Sequence, residues 1–274
     1  MKKKKIAALL TFAMIMAPFS VHAEETEKHL NLGLTWFATT LDPADESVDY
    51  NSWMLSRMDV GENLFTVDEN MVLQNQLADS WENVDENTWK IHVRDGVTFH
   101  NGNPVTAEAV MNSINRVIAD NVRGQNLVNI DHMEVDGQDL TIVTKEPNGA
   151  LLAGLSEPLF MIVDTTADVD NFVNQPVLTG PYKVDSFEKD NVVELEAYDG
   201  YWGGTPGFDT ITVKNVTDSE AGVMALQNEE LDILTVPSTS LSVLEDAGFQ
   251  TMTVEGIREY FGIFNMSQER FQNS

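Results

Sequence analysis

The side chains able to do chemistry are few and scattered. Past residue 23 the histidines are His29, His92, His100 and His132, and no two stand at metal-ligand spacing. His92 falls on the polar side of an alternating run and reads as a solvated residue. His100 sits in Phe99-His100-Asn101-Gly102, a turn sequence in which a polar ring is ordinary. Asp42, Asp45, Glu46 and Asp49 cluster as calcium-loop acids would, but lack the glycine and terminal glutamate of an EF-hand. A solvated loop is the plainer reading. Asp199-Gly200-Tyr201-Trp202-Gly203-Gly204 sets aromatic faces beside glycines. It suits either a sugar platform or a turn with Trp202 covering a core edge. No G-x-S-x-G, H-E-x-x-H, P-loop or G-x-G-x-x-G pattern occurs. Cysteine is absent, which excludes disulfides, thiolate metal sites and a thiol nucleophile. Nothing among these residues supports catalysis.

The elements that would position these residues are mostly strands. Leu32–Phe37 reads as a strand, and Trp89–Val93 alternates as a half-buried strand does. Asn51–Leu64 reads as a helix with Trp53, Met54, Leu55 and Met58 on its apolar face. Thr106 caps a helix whose stripe is Ala109, Val110, Ile114, Val117 and Ile118. Met133–Val135 and Leu140–Thr144 flank Asp136-Gly137 as a hairpin, and Tyr182–Phe187 and Val192–Ala197 flank Lys189-Asp190-Asn191 as another. Thr210–Val216 is a further strand. Thr217-Asp218-Ser219-Glu220 reads as a capping box opening a helix to about Glu229. A short helix, Leu241–Ala247, stops at Gly248, and Gln250–Val254 and Glu259–Phe264 read as late strands. The class is mixed α and β with a large antiparallel component.

Composition sets the compartment. Lys2–Lys5, an apolar run from Ile6 to Phe19, and Val21-His22-Ala23 before Glu24 have the three-part layout of a secretory signal peptide. The run is too short, and too interrupted by Pro18, to span a membrane. Removing residues 1–23 takes away four lysines and no acid, moving the net charge from −28 to −32. Such a surface repels nucleic acid and anionic lipid, and no stable membrane insertion is expected. The expected location is the periplasm or the extracellular space, without the lipidated cysteine of a tethered protein.

Several segments, in order, resemble the extracellular solute-binding proteins of peptide and nickel ABC importers, family 5. Ala78-Asp79-Ser80-Trp81, Asp85 and then Thr88 through Gly102 resemble the signature "LA-x-SW … T-[WY]-x-[FI]-x-[LV]-R-x-x-V-x-[FW]-x-[DN]-G". Pro104 through Val110 continues it as the family does. Leu41-Asp42-Pro43 with Glu62-Asn63-Leu64-Phe65, Leu178-Thr179-Gly180-Pro181-Tyr182, Tyr198 through Gly203, and Ala225 to Ile233 resemble further family motifs. Tyr260 to Asn265 and Phe271 to Ser274 resemble the approach to an Arg-rich helix that the sequence does not reach.

The resemblance implies an architecture: a periplasmic-binding-protein-like lobe with an inserted small α+β domain. On this chain residues 24–45 would be the first segment of that lobe, 46–177 the insertion, and 178–274 the return. The opposite lobe would be missing, as in a truncated protein, and one lobe alone would bind weakly or not at all. The implied function is a solute-binding component that delivers oligopeptides to an ABC permease. A nickel–chelator binder is one alternative, a non-transport or chaperone-like peptide binder another, and a hydrolase the most remote. No cofactor is implied. The expected cleft-facing residues are Tyr50, Trp53 and the turn Trp36, Thr39 and Thr40, because a strand end beside a helix start offers binding edges. The resemblance adds Met54, placed roughly where nickel-type members have a cleft methionine, although helix packing is the plainer reading. It also adds Arg123, near an expected arginine. Glu157 stands where an arginine would meet a chelator, which reverses the local charge.

Overall fold

The computed structural model describes residues 27–45 and 51–253. In order the elements are β1 (His29–Leu34), α1 (Asn51–Arg57), β2 (Phe65–Val67), β3 (Leu73–Asn75), β4 (Ala78–Asn83) and β5 (Thr88–Val93). Then come α2 (Ala107–Asp120), α3 (Val122–Val128), β6 (Ile130–Asp136), β7 (Asp139–Thr144) and α4 (Leu151–Leu155). The described residues close with β8 (Tyr182–Glu188), β9 (Val192–Ala197), β10 (Thr210–Asn215), α5 (Ser219–Gln227), β11 (Ile233–Leu234) and α6 (Leu241–Asp246).

Two sheets organise these elements. The first has the order β11-β1-β10-β9-β8, with β1 parallel to both β10 and β11 and the remaining pairs antiparallel. Its period-2 pattern is strict: Leu30 and Leu32 stand beside Ile211 and Val213, which face Leu195 and Val193. The alternate positions are polar, and His29, Thr210, Thr212 and Glu194 bond one another there. The second sheet, β4-β5-β7-β6, is wholly antiparallel, with the ribbon β2-β3 beside it.

Each sheet has its own core. Ile91, Val93, Leu140 and Ile142 of the second sheet are buried against Val110, Ile114 and Val117 of α2, and Phe65, Phe99 and Phe160 complete that cluster. Full burial of such side chains contributes about 1.5–3 kcal/mol each. The first sheet buries Leu34, Val193, Leu195 and Val213 against Met54, Leu55, Met58, Phe172 and Leu178. Residues 46–177 therefore contribute to both cores.

Both hairpins form around the expected turns, with Gly137 at φ 64° and Asp190 at φ 61°. Thr106 caps α2 by accepting the Ala109 N–H. Four expectations need correction. β1 lies at His29–Leu34, not Leu32–Phe37, because pairing to β10 and β11 ends where Val216 N–H bonds Leu34 O. α1 stops at Arg57 rather than Leu64, since Asp59 turns to φ 53° and Val60 N–H returns to Leu55 O. Asp218, not Thr217, caps α5, accepting the Glu220 and Ala221 N–H groups. Residues 250–253 carry no strand; the rest of that expected strand, and Glu259–Phe264, lie outside the described residues.

Candidate functional site

The parallel strands β1, β10 and β11 bring their carboxyl ends to one edge, and in open sheets such edges are where ligands settle. The chain leaves β1 through Thr35–Thr40. Thr35 N–H bonds Thr235 Oγ1 at 3.2 Å and Thr235 N–H returns to Gly33 O at 3.0 Å, fixing the exit beside β11. Trp36 is half-buried, with the Arg57 guanidinium 4.5 Å from its ring centroid. Trp53 and Arg57 are one helical turn apart on α1, and Trp53 is 44% exposed. Thr39 N–H donates to Asn51 Oδ1 at 3.1 Å, tying the turn to the start of α1. Thr40 is buried, its hydroxyl accepting the Asp42 N–H.

Beside this edge lies a hollow of about 770 Å³, where Arg57, Asp232 and Thr235 meet the apolar Leu234, Leu244 and Phe249. A smaller apolar recess of about 320 Å³, between Leu30, Leu32, Ile211 and Met58, shares Arg57 and Ile233 with it. An aromatic and cationic rim over an apolar floor suits a small solute carrying both a carboxylate and a hydrocarbon part.

The expected site residues do not all gather here. Trp36, Thr39 and Trp53 lie on or against α1, whose Arg57 lines the hollow while they do not, and Thr40 is buried beside Asp42. Tyr50 lies outside the described residues. Met54 does not face a cleft: it is 0% exposed, packed in the first sheet's core, with the Ala38 N–H 2.9 Å from its sulfur. Arg123 belongs to α3, which packs against α2 and α4, and it pairs with Glu157 at 2.8 Å. The acid that reverses charge in the sequence is thus matched by that arginine. Arg57 was missed, although a basic residue four positions after Trp53 was a readable signal.

The signature residues do something else: they join the two cores. Asp42 takes a two-pronged grip from Arg116 of α2, with Nη1 to Oδ1 at 2.9 Å and Nη2 to Oδ2. Asp42 is thus a buried anchor; among the described residues no group of three acids or histidines is placed to hold a metal ion, and Glu46 and Asp49 lie outside them. Glu62, 3% exposed, accepts from Tyr201 Oη at 3.2 Å and Trp202 Nε1 at 3.0 Å. Arg94 stacks 4.4 Å from the Trp202 ring centroid. Burial pushes the Glu62 carboxyl up, opposed by the bonds from Trp202 and Tyr201 and by Arg94. The aromatic-glycine segment is therefore a clasp on Glu62. Gly180 is required by close approach, because a Cβ there would lie 2.2 Å from Asp59 O.

Comparison with known proteins identifies the family. A model of the bacterial extracellular solute-binding proteins, family 5 (middle region), matches residues 72–274. The nickel-binding protein NikA of Staphylococcus aureus is 28% identical over 263 residues, 92% of this chain and 52% of NikA. The glutathione-binding protein GsiB of Shigella flexneri is 29% identical over 247 residues, 86% of this chain and 48% of GsiB. The crystal structure of a nickel ABC transporter protein from Bacillus halodurans matches with TM-score 0.74 at 34% identity, covering 80% of this chain and 45% of that one. These relatives are solute binders of the periplasmic-binding type, and the fold here is theirs. The chain belongs to the family 5 extracellular solute-binding proteins. It spans about half the length of the curated relatives it matches. No helix among the described residues is long and apolar enough to cross a membrane.

Proposed function

We propose that this protein is a solute-capturing component of an ABC importer, exported by residues 1–23, and that it hands its solute to a membrane permease. The solute is a small amino-acid derivative with a free carboxylate, such as a short peptide. It is held at the rim formed by Trp36, Thr39, Trp53 and Arg57. The observation that carries this reading is the Arg57 guanidinium set over Trp36 at the carboxyl edge of β1, beside a hollow with an apolar floor. A planar, permanently charged fork suits a carboxylate, and the two indoles suit the remainder of the solute.

A nickel chelate is the second reading, favoured by the likeness to NikA and to the Bacillus halodurans protein. The metal would then enter inside an amino-acid chelate, whose carboxylates present the same chemistry to Arg57. Titration calorimetry of the 274-residue chain distinguishes the two. Glutathione, a tripeptide mixture, Ni²⁺ alone and Ni²⁺ with excess histidine are the titrants. Heat with the peptides, lost at least tenfold in Arg57→Gln, supports the first reading; heat with Ni²⁺-histidine and not with Ni²⁺ alone supports the second. Binding indifferent to Arg57→Gln and Trp36→Ala overturns the assignment of the rim.

A further inference from the structure

His100 joins two stretches of chain that belong to different sheets. Its backbone N–H donates to Leu178 O at 2.8 Å, and its Nε2 lies 3.0 Å from Gly180 O. Its ring meets that of Tyr198 edge-on, centroids 5.2 Å apart. The turn that carries it, 98–103, follows β5 of the second sheet. Tyr198 Oη bonds Thr98 Oγ1 and Phe99 O, both at 2.7 Å, and Asp164 accepts from Asn101 and Asn103, both at 2.8 Å. Across the contact, 178–181 is the crossing that feeds β8 of the first sheet, with the Gly180 N–H on Val60 O.

A carbonyl can only accept, so Nε2 carries the proton and the ring's lone pair is on Nδ1. That Nδ1 is buried and has no hydrogen-bond partner. A second proton would therefore place an N–H without an acceptor, and a charge, inside the joint. The groups around it offer no compensation. Lys183 of β8 carries the same sign, the Tyr198 hydroxyl is engaged with Thr98 and Phe99, and the Asp164 carboxylate is engaged with Asn101, Asn103 and Thr166.

We propose that His100 makes this joint acid-sensitive: protonating its ring opens the contact between the 98–103 turn and the 178–181 crossing, and so uncouples the two sheets. The direction follows from the proton balance. Burial, with Lys183 adding to it and the Gly180 carbonyl opposing, pushes the imidazole from its usual 6.5 to about 4. The opened joint binds the proton more tightly than the closed one. The closed form is thus fully favoured above pH 6.5 and loses ground as pH falls towards 4.

Hydrogen exchange on the full chain at pH 7.0 and 4.5, corrected for intrinsic exchange, tests this. Protection of the His100 and Gly180 amides is expected to fall by up to about 60-fold relative to Leu140 and Ile142 of β7. His100→Gln keeps an N–H for Gly180 O but cannot take a proton, and its joint amides are expected to show no such loss. Equal losses at the joint and at β7, an undiminished joint, or a His100→Gln variant that opens as readily, would each overturn the proposal. Should that variant not fold, the wild-type imidazole titration followed by NMR decides. A midpoint well below 6.5 that coincides with opening supports it, and one at or above 6.5 overturns it.

Discussion

Asp42 and Arg116 hold the joint with most at stake per residue, their side chains only 11% and 16% exposed. Without Asp42 the largely buried Arg116 guanidinium keeps its desolvation penalty and retains only the looser, more exposed Asp120 carboxylate at 3.8 Å. Asp42→Ala is therefore expected to destabilise the fold by about 3–5 kcal/mol, whereas Asp42→Ala with Arg116→Met recovers a large part of that. Urea unfolding of the two variants measures both, and a loss below about 1 kcal/mol for the single change would mark the pair as solvent-screened. The sequence made these residues visible without showing their work. Asp42 lies 74 positions from Arg116, and Glu62 lies 139 from Tyr201, so no local pattern links them. The rim was only partly legible for the same reason. Trp36, Thr39 and Trp53 could be proposed from a strand end beside a helix start, while the Arg57–Trp36 stack needs the folded turn. Met54 was ambiguous because a buried methionine and a cleft methionine share one helical spacing.

At the scale of elements, local rules hold where local forces decide. α2 starts after Thr106, and the hairpins close on Gly137 and Asp190, because a side-chain cap and a positive φ are needs of the segment itself. They fail where a distant partner decides. β1 takes its limits from β10 and β11, which follow it by some 180 to 200 positions, as its pairing of His29 with Thr210 and of Leu32 with Ile233 records. α1 ends early because Asp59 and Val60 must meet the crossing at Gly180, and helix periodicity through Leu64 carries no sign of that. The corrected cap of α5 gives a sharp test. Asp218→Ala is expected to cost about 1 kcal/mol of stability, and Thr217→Ala little, since only Asp218 satisfies N–H groups of the first turn. Thermal melts rank the pair, and the reverse order would return the cap to Thr217.

For the whole molecule the governing quantity is charge. Forty-four acids face 16 bases. Among the described residues Lys90, Arg116, Arg123 and Lys183 are each held by a carboxylate, which leaves most acids to repel one another. Salt acts on both terms. It weakens the exposed pairs, worth about 0–1 kcal/mol each, and it screens a larger sum of like-charge repulsions beyond the Debye length of about 10 Å at 0.1 M. Repulsion wins on numbers, because it involves all the unpaired acids while the pairs are few and the Asp42–Arg116 pair is shielded by burial. Raising NaCl from 20 to 500 mM should therefore lift the melting temperature. A relief of about 1–2 kcal/mol corresponds to about 2–8 °C at this size. A melting temperature that stays level or falls would mean that the ion pairs, not the repulsion, set the balance. The two cores would then depend on their charged joints more than on screening, and lowering the salt would be the way to bind them together.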